Sequence, residues 1–276
     1  MISECIFCSS PNFVRNGHDK GGVQRYKCND CKKRFCEKGI FARMKTPREI
    51  IINAIYLRSY PLSFREVKRI INKLKNYRRS HVAIYKWILK FCPKFVEIEK
   101  RIPLNFSKIW HVDEKFIKVK GSKDKFAYLW IASDSNNNIL AVHVSNARNG
   151  KNAKIVLQKA RERTGFNPDI IVTDGLQGYK RACRIFGRKC KHVEAHFKKK
   201  GFVYQGKIIF LSNNRAERIN EYFALWLHVC RGLKSFKTAN LMLEFYAMHI
   251  NYLMPHGRKE EVKIELEKVP MLIEAR

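Results

Sequence analysis

Ile109-Trp110-His111-Val112-Asp113-Glu114-Lys115-Phe116-Ile117-Lys118-Val119-Lys120 is the stretch on which the fold turns. It is rich in β-branched and aromatic residues, the composition of a strand. Phe126 to Ser133 and Ile139 to Val144 are two further β-rich runs. They are joined through Gly121-Ser122-Lys123-Asp124 and Asn136-Asn137-Asn138, so a three-stranded antiparallel meander is expected. Lys151 to Thr164 reads as a helix. Ile170-Ile171-Val172-Thr173-Asp174-Gly175 then reads as a short buried strand ending in a carboxylate. A helix from about Leu176 to Phe186 and a strand near Lys191 to Glu194 follow. After a basic, glycine-containing insertion from Lys198 to Lys207, Ser212-Asn213-Asn214 is expected to cap a helix carrying Glu217 and Glu221. The order βββαβαβα specifies an α/β fold, a mixed sheet with flanking helices.

Upstream of this unit the spacing of cysteines is informative. Cys5-Ile6-Phe7-Cys8 and Cys28-Asn29-Asp30-Cys31 are two knuckles separated by 19 residues. Two residues between cysteines let a tight turn aim both thiolates at one point, and two such turns complete a tetrahedral sulfur shell for zinc. So short a segment has too few apolar residues to fold alone, and metal binding would supply the folding energy. Cys36 and His18 are possible substitutes for one ligand. Free buried thiols or a redox pair are the plainer alternatives.

Between these units, three helix starts carry capping signals. Thr46-Pro47-Arg48-Glu49 and Ser63-Phe64-Arg65-Glu66 read as capping boxes, and Ser80 can cap a third helix running to about Phe91. On that helix the expected apolar stripe is Val82, Tyr85, Ile88 and Leu89, with His81, Lys86 and Lys90 facing outward. Three short helices ending in a basic one fit a helix-turn-helix that places its last helix in the DNA major groove. An ordinary helical bundle with a solvated basic face is the alternative.

Composition bounds the partners. Of 276 residues, 56 are Lys or Arg and 24 are Asp or Glu, a formal charge of +32. Such a charge opposes compaction unless a polyanion neutralises it, which makes nucleic acid the first partner to expect. The 45% apolar fraction excludes global disorder. The most apolar stretch, Leu241 to Met254, is broken by Glu244, His249 and Asn251, so no membrane span is expected. Nine cysteines, with five in the first 36 residues, argue against a chain-wide disulfide framework. With no basic and apolar leader after Met1, the expected location is cytoplasmic and nucleoid-associated.

Asp113, Asp174 and Glu217 stand far apart in sequence, but groups at strand ends of α/β sheets can converge. Three acids converging in so basic a protein would be explained by a bound hard cation such as Mg2+ or Mn2+. Single acids at strand ends more often serve as caps or ion pairs.

A family resemblance bears on the choice. Trp110 to Gly121, Thr173-Asp174-Gly175 with Tyr179 behind it, Asn213-Asn214-Arg215-Ala216-Glu217-Arg218 and Arg231-Gly232-Leu233-Lys234-Ser235-Phe236 resemble the catalytic core of insertion-sequence transposases. The nearest match is the insertion-sequence-six type, which has a DDE triad on an RNase H-like fold. Ser80 to Ile88 resembles that family's recognition helix. The resemblance implies that Asp113, Asp174 and Glu217 bind catalytic Mg2+ or Mn2+, and that Ser80, His81, Lys86 and Lys90 lie against double-stranded DNA. It further implies a homo-oligomer on terminal inverted repeats, strand cleavage and strand transfer. Two features depart from the family: a longer spacing from Asp174 to Glu217, placed in an insertion from Phe197 to Leu211, and the added zinc module. Glu114 and Glu221 are decoys: strand alternation sends Glu114 to the face opposite Asp113, whereas Glu221 shares Glu217's helix face and is the credible rival. The expected organisation is a zinc ribbon at 1–40, a helix-turn-helix at 41–92, a linker at 93–106, an RNase H-like catalytic domain at 107–255 and a tail at 256–276. A non-catalytic regulator derived from a decayed transposase, or a nuclease on the same fold, are the alternatives.

Overall fold

The β-rich run from Ile109 onward forms β4 (Ile109–Lys118), the centre of a mixed five-stranded sheet. The computed structural model describes residues 2–8, 10–36, 41, 44–99, 102, 104–122, 126–195, 200–230 and 233–252. The expected tail at 256–276, Lys198 and Lys199 of the expected insertion, and Arg231 and Gly232 lie outside the described residues.

The N-terminal elements are three short strands, β1 (Phe13–His18), β2 (Gln24–Cys28) and β3 (Arg34–Cys36), followed by α1 (Arg48–Ser59), α2 (Phe64–Leu74) and α3 (His81–Glu99). β4 pairs antiparallel with β5 (Phe126–Asp134), which pairs antiparallel with β6 (Ile139–Ser145). Then α4 (Gly150–Thr164) crosses to β7 (Ile170–Thr173), and α5 (Gln177–Cys183) crosses to β8 (Lys191–Glu194). β7 runs parallel to β4, and β8 parallel to β7. The sheet order is β6-β5-β4-β7-β8, with only β5 antiparallel to the other four, which is the RNase H-like mixed sheet that was expected. Two long helices close the fold, α6 (Asn214–Cys230) and α7 (Phe236–Tyr252).

The sheet's pleat sorts the helices. Trp110, Val112, Trp130 and Ala132 face α4 and α5, where Val156, Leu157 and Tyr179 are buried. Ile117, Leu129, Ile131 and Val142 face the opposite way, onto Phe223 of α6 and Leu243 of α7. Period-two alternation along β4 and β5 thus fixes which helix covers which face.

The second core does not stop at the sheet. Ile51, Val67, Ile84, Ile88 and Phe91 of the first three helices belong to the same buried cluster. Arg58 of α1 is 1% exposed, donates from Nη2 to Cys230 Sγ at 2.7 Å and stacks 4.3 Å from the Trp226 ring. Ser59 Oγ lies 3.0 Å from His249 Nδ1 of α7.

Several local expectations need correction. The linker expected from residue 93 is helical as far as Glu99, because Phe91, Cys92, Phe95 and Val96 bury into the shared core and α3 runs on through Pro93. Thr46 forms no capping box: its Oγ1 accepts from Arg79 Nε at 3.1 Å, and Pro47 stands at the cap without a side-chain bond. Asn213 Oδ1 is buried without a partner, so it does not cap α6. By contrast, the Ser63–Glu66 capping box forms both of its bonds. The basic insertion is an ordered hairpin, β9 (Lys200–Tyr204) and β10 (Lys207–Leu211). Gln205 and Gly206 both have positive φ, as a type I′ turn requires, and Phe202 and Ile209 pack against Ile170 and Val172.

Strand β6 lies at the sheet margin, and side chains occupy its outward backbone groups. Asn251 accepts from Ile139 N at 2.7 Å and donates to Ile139 O at 3.0 Å. Asn240 Oδ1 accepts from Val144 N at 3.0 Å, and Lys159 Nζ donates to Val142 O at 3.2 Å.

Pro93 offers a direct check on α3. Within a helix it lacks the N–H that would bond one turn back, so Pro93→Ala should raise stability by about 1–3 kcal/mol. Thermal unfolding measures this, and an unchanged Tm would mean that residue 93 is not held in a helix.

Candidate active site

Parallel pairing brings two of the expected acids together. β4 and β7 pair as Ile109↔Ile170, Trp110↔Ile171 and His111↔Val172, and the ladder ends there. Continuing that register by two residues on each strand sets Asp113 level with Asp174 at the open carboxyl end, where α/β sheets assemble functional groups. Gly175, with φ +96°, then turns the chain away into α5.

Asp113, Glu114 and Asp174 each place a carboxylate oxygen within 4.8 Å of the others. Asp113 Oδ2 accepts from Asn220 Nδ2 of α6 at 2.7 Å, and Oδ1 accepts from Glu114 N at 3.0 Å. Burial, then the charges of Glu114, Asp174 and Glu217, push the Asp113 carboxyl up to about 7. Asp174 Oδ1 accepts from Leu176 N at 3.1 Å, and Oδ2 lies 3.4 Å from Arg148 Nη2.

Glu114 is placed differently from the sequence reading. Its side chain does leave the strand on the side opposite Asp113, toward α5, where Tyr179 OH donates to Oε2. Alternation separates the Cβ directions, but both residues lie beyond the end of the β4–β7 ladder, so the carboxylate tips still meet. Glu217 stands outside this three-acid group yet near enough to raise Asp113, and it is half-buried. Glu221, its rival, is exposed. Arg148, Tyr179 and Asn220 complete the site. Asn220, one helical turn beyond Glu217, was open to detection by spacing. Arg148 had no such signal, since it comes from the loop before α4.

Among the described residues the second candidate metal group is Cys5, Cys8, Cys28 and Cys31, their sulfurs within 4.8 Å of one another. Cys5 and Cys31, and Cys8 and Cys28, are 3.6 Å apart. A tetrahedral site with metal–sulfur bonds of about 2.3 Å has edges of about 3.8 Å, so the thiols fit such a metal. Phe7 N donates to Cys5 Sγ at 3.5 Å. Burial raises the Cys28 thiol, but hydrogen bonds from the backbone N–H groups of Cys31 and Asp30, together with those of the Cys8 and Cys31 thiols, bring it down to about 7. Cys36 lies buried opposite Arg25 and His18 at the end of β1, and neither joins the four-thiol group.

On α3, Ser80 Oγ accepts from Ala83 N at 3.1 Å, so this residue is occupied as a cap. Lys86 and Lys90 are exposed and His81 is half-buried. Val82, expected in the core, is 47% exposed. The buried stripe is Ile84, Trp87, Ile88 and Phe91 instead. Val82, Lys86 and Lys90 therefore form one outward row at four-residue spacing.

Residues 107–253 match the model of the DDE domain family of the IS240 transposase type, and the chain belongs to this family. It is 27% identical over 129 residues to the transposase for insertion sequence-like element IS431mec of Staphylococcus aureus N315, covering 46% of this chain and 55% of that one. The transposase of IS257 in transposon Tn4003, also from Staphylococcus aureus, matches with the same identity and coverage. The chain thus spans about half the length of the curated relatives it matches. Among solved structures, the HTLV-2 integrase catalytic core in complex with magnesium gives a TM-score of 0.38 at 17% identity, covering 57% of this chain and 93% of that one. A chain of the simian T-cell lymphotropic virus intasome in complex with the PP2A regulatory subunit B56 gamma gives 0.38 at 19% identity, covering 57% of this chain and 53% of that one.

The crowded carboxylates fit a hard divalent cation, whose charge would offset their repulsion. The Asp113 carboxyl rises on folding, so metal-free protein loses stability as the pH climbs from about 4 toward 7. A cation must displace that proton, so Mn2+ affinity should fall about tenfold per pH unit below 7 and level off above it. Calorimetric titration at pH 6 and pH 8 tests this, and equal affinities would remove Asp113 from the ligand set.

Proposed function

We propose that the chain is a DNA transposase that binds the terminal inverted repeats of a mobile element, cuts DNA strands and joins the freed 3′-OH to target DNA. The observation that carries this reading is the side-by-side placement of Asp113 and Asp174 at the mouth of the parallel strands, in a chain of the DDE domain family. Glu217, in the first turn of α6 and facing the same site as Asn220, is the third ligand of this proposal. A bound Mg2+ or Mn2+ supplies charge stabilisation to the attacking and departing oxygens of a phosphodiester. The chain's own contribution is positioning. Asn220 holds Asp113 in one orientation, and the backbone N–H of Leu176 fixes Asp174.

In the same proposal the outward row of α3, with Lys86 and Lys90, contacts the repeat DNA, and Ser80 and His81 set the helix's start against it. The four cysteines hold one zinc and form a ribbon at residues 1–40, the helices at 41–92 read DNA, and residues 107–255 carry out the chemistry. Copies assemble on DNA so that two element ends are processed together. A charge of +32 supports a phosphate-rich partner, and among the described residues no helix is long and apolar enough to cross a membrane.

Two experiments test these assignments. Glu217→Gln should abolish strand cleavage and transfer with Mg2+ on repeat-ended DNA, whereas Glu221→Gln should keep most activity. The reverse result would move the third ligand onward by one turn, cleavage without joining would indicate a nuclease, and binding alone a regulator. For the zinc ribbon, elemental analysis should find one zinc per chain, lost in Cys5→Ser/Cys28→Ser. Unchanged zinc in that variant would refute the ligand set.

A further inference from the structure

Arg148 is attached to the carboxylate cluster in a way that ion pairing with Glu114 alone does not explain. Its Nε and Nη2 both lie 2.5 Å from Glu114 Oε1, and Nη2 also reaches Asp174 Oδ2 at 3.4 Å. The Glu114 side chain is 2% exposed, and Tyr179 OH holds its other oxygen. That fixes the anchor on which the guanidinium rests. The remaining arm, Nη1 with two donors, has no partner among the described residues, and the Arg148 side chain is 40% exposed. One end of this residue is thus buried and immobilised, while the other is open at the edge where Asp113 and Asp174 meet.

The backbone around Arg148 is held to the same frame. A Cβ on Gly150 would lie 2.9 Å from Gly178 O, and one on Gly178 would lie 2.8 Å from Gly150 N. Only paired glycines allow the start of α4, two residues after Arg148, and the first turn of α5, four residues after Asp174, to approach so closely. Asn149 Oδ1, accepting from Asn152 N at 3.1 Å, caps α4 directly after Arg148. The position of the guanidinium relative to Asp174 is therefore set by backbone packing as well as by its ion pair.

We infer that Arg148 is a substrate-contacting residue that receives a non-bridging oxygen of the phosphodiester being cut. A planar fork anchored on one side and open on the other suits a phosphate, whose oxygens accept charge-assisted hydrogen bonds from guanidinium donors. The Glu114 anchor keeps it from swinging away, and its charge offsets that of the incoming anion beside two carboxylates. This assignment rests on the transposase reading of the same site.

The test uses the full chain and a repeat-end duplex in two forms, one natural and one with the cleavage-site phosphate replaced by a neutral methylphosphonate. Binding is measured in Ca2+, and cutting of the natural duplex in Mg2+. The wild-type protein should bind the neutral duplex about tenfold more weakly, the size of one charge-assisted contact, and Arg148→Gln should bind the two alike. Arg148→Lys should recover part of the discrimination, because it restores the charge without the fork. Cutting by Arg148→Gln should slow at saturating DNA, with Tm kept near the wild-type value. Equal discrimination in the wild-type protein and Arg148→Gln would overturn the assignment, as would undiminished cutting by that variant. The binding comparison does not depend on cutting. A wild-type chain that fails to cut, yet discriminates through Arg148, would refute the transposase reading while upholding the contact.

Discussion

The ladder between β4 and β7 ends two pairs short of the level at which Asp113 and Asp174 stand side by side, and much of the molecule is arranged around that ending. Past His111 and Val172 the strands no longer bond to each other, so Asp113 and Asp174 emerge level at an open margin. Burial, and after it the neighbouring carboxylate charges, raise the Asp113 carboxyl. The surroundings supply donors from several directions: Asn220 from α6, Leu176 N from the start of α5 and Arg148 from the loop before α4. Each donor comes from a different segment outside the strands. A site built this way requires the α/β topology to be complete before its acids have partners.

Continuity of the core is the second theme. The first three helices and the α6/α7 face of the sheet share buried side chains without a break. Arg58 lies inside that junction with its Nε and Nη1 unpartnered, and Cys230 Sγ and the faces of Trp226 and Phe64 are its neighbours. A buried cation held mainly by aromatic faces and a sulfur is a costly contact. It ties α1, in the segment proposed to read DNA, to α6, the helix that carries Glu217.

Much of this was legible in the sequence, because strands and capping boxes are local. β-branched and aromatic composition marked β4 and β5, the apolar run marked β7, and Ser63 with Glu66 marked the start of α2. The two cysteine knuckles were legible for the same reason: their geometry is set within four residues. What escaped depended on partners distant in the chain. Val82 reads as core on its own helix, but Ile84 and Trp87 have the better match to the shared core and turn Val82 outward. Thr46 lost its capping role to Arg79, and Pro93 failed to end a helix whose next turns found buried neighbours. Glu114 was misplaced because alternation describes where a side chain starts, whereas a long side chain beyond the end of a ladder can curl back.

The margin of the sheet at β6 has a consequence for how chains meet one another. An unpaired strand edge is a template for another chain, and Asn240, Asn251 and Lys159 fill that template from within the same molecule. At this margin a second chain would meet these backbone groups already bonded. Asn251 acts as a surrogate for a neighbouring strand, offering both an acceptor and a donor to one residue. In a chain so basic, this plug at the sheet margin adds to the repulsion that its charge of +32 sets between copies.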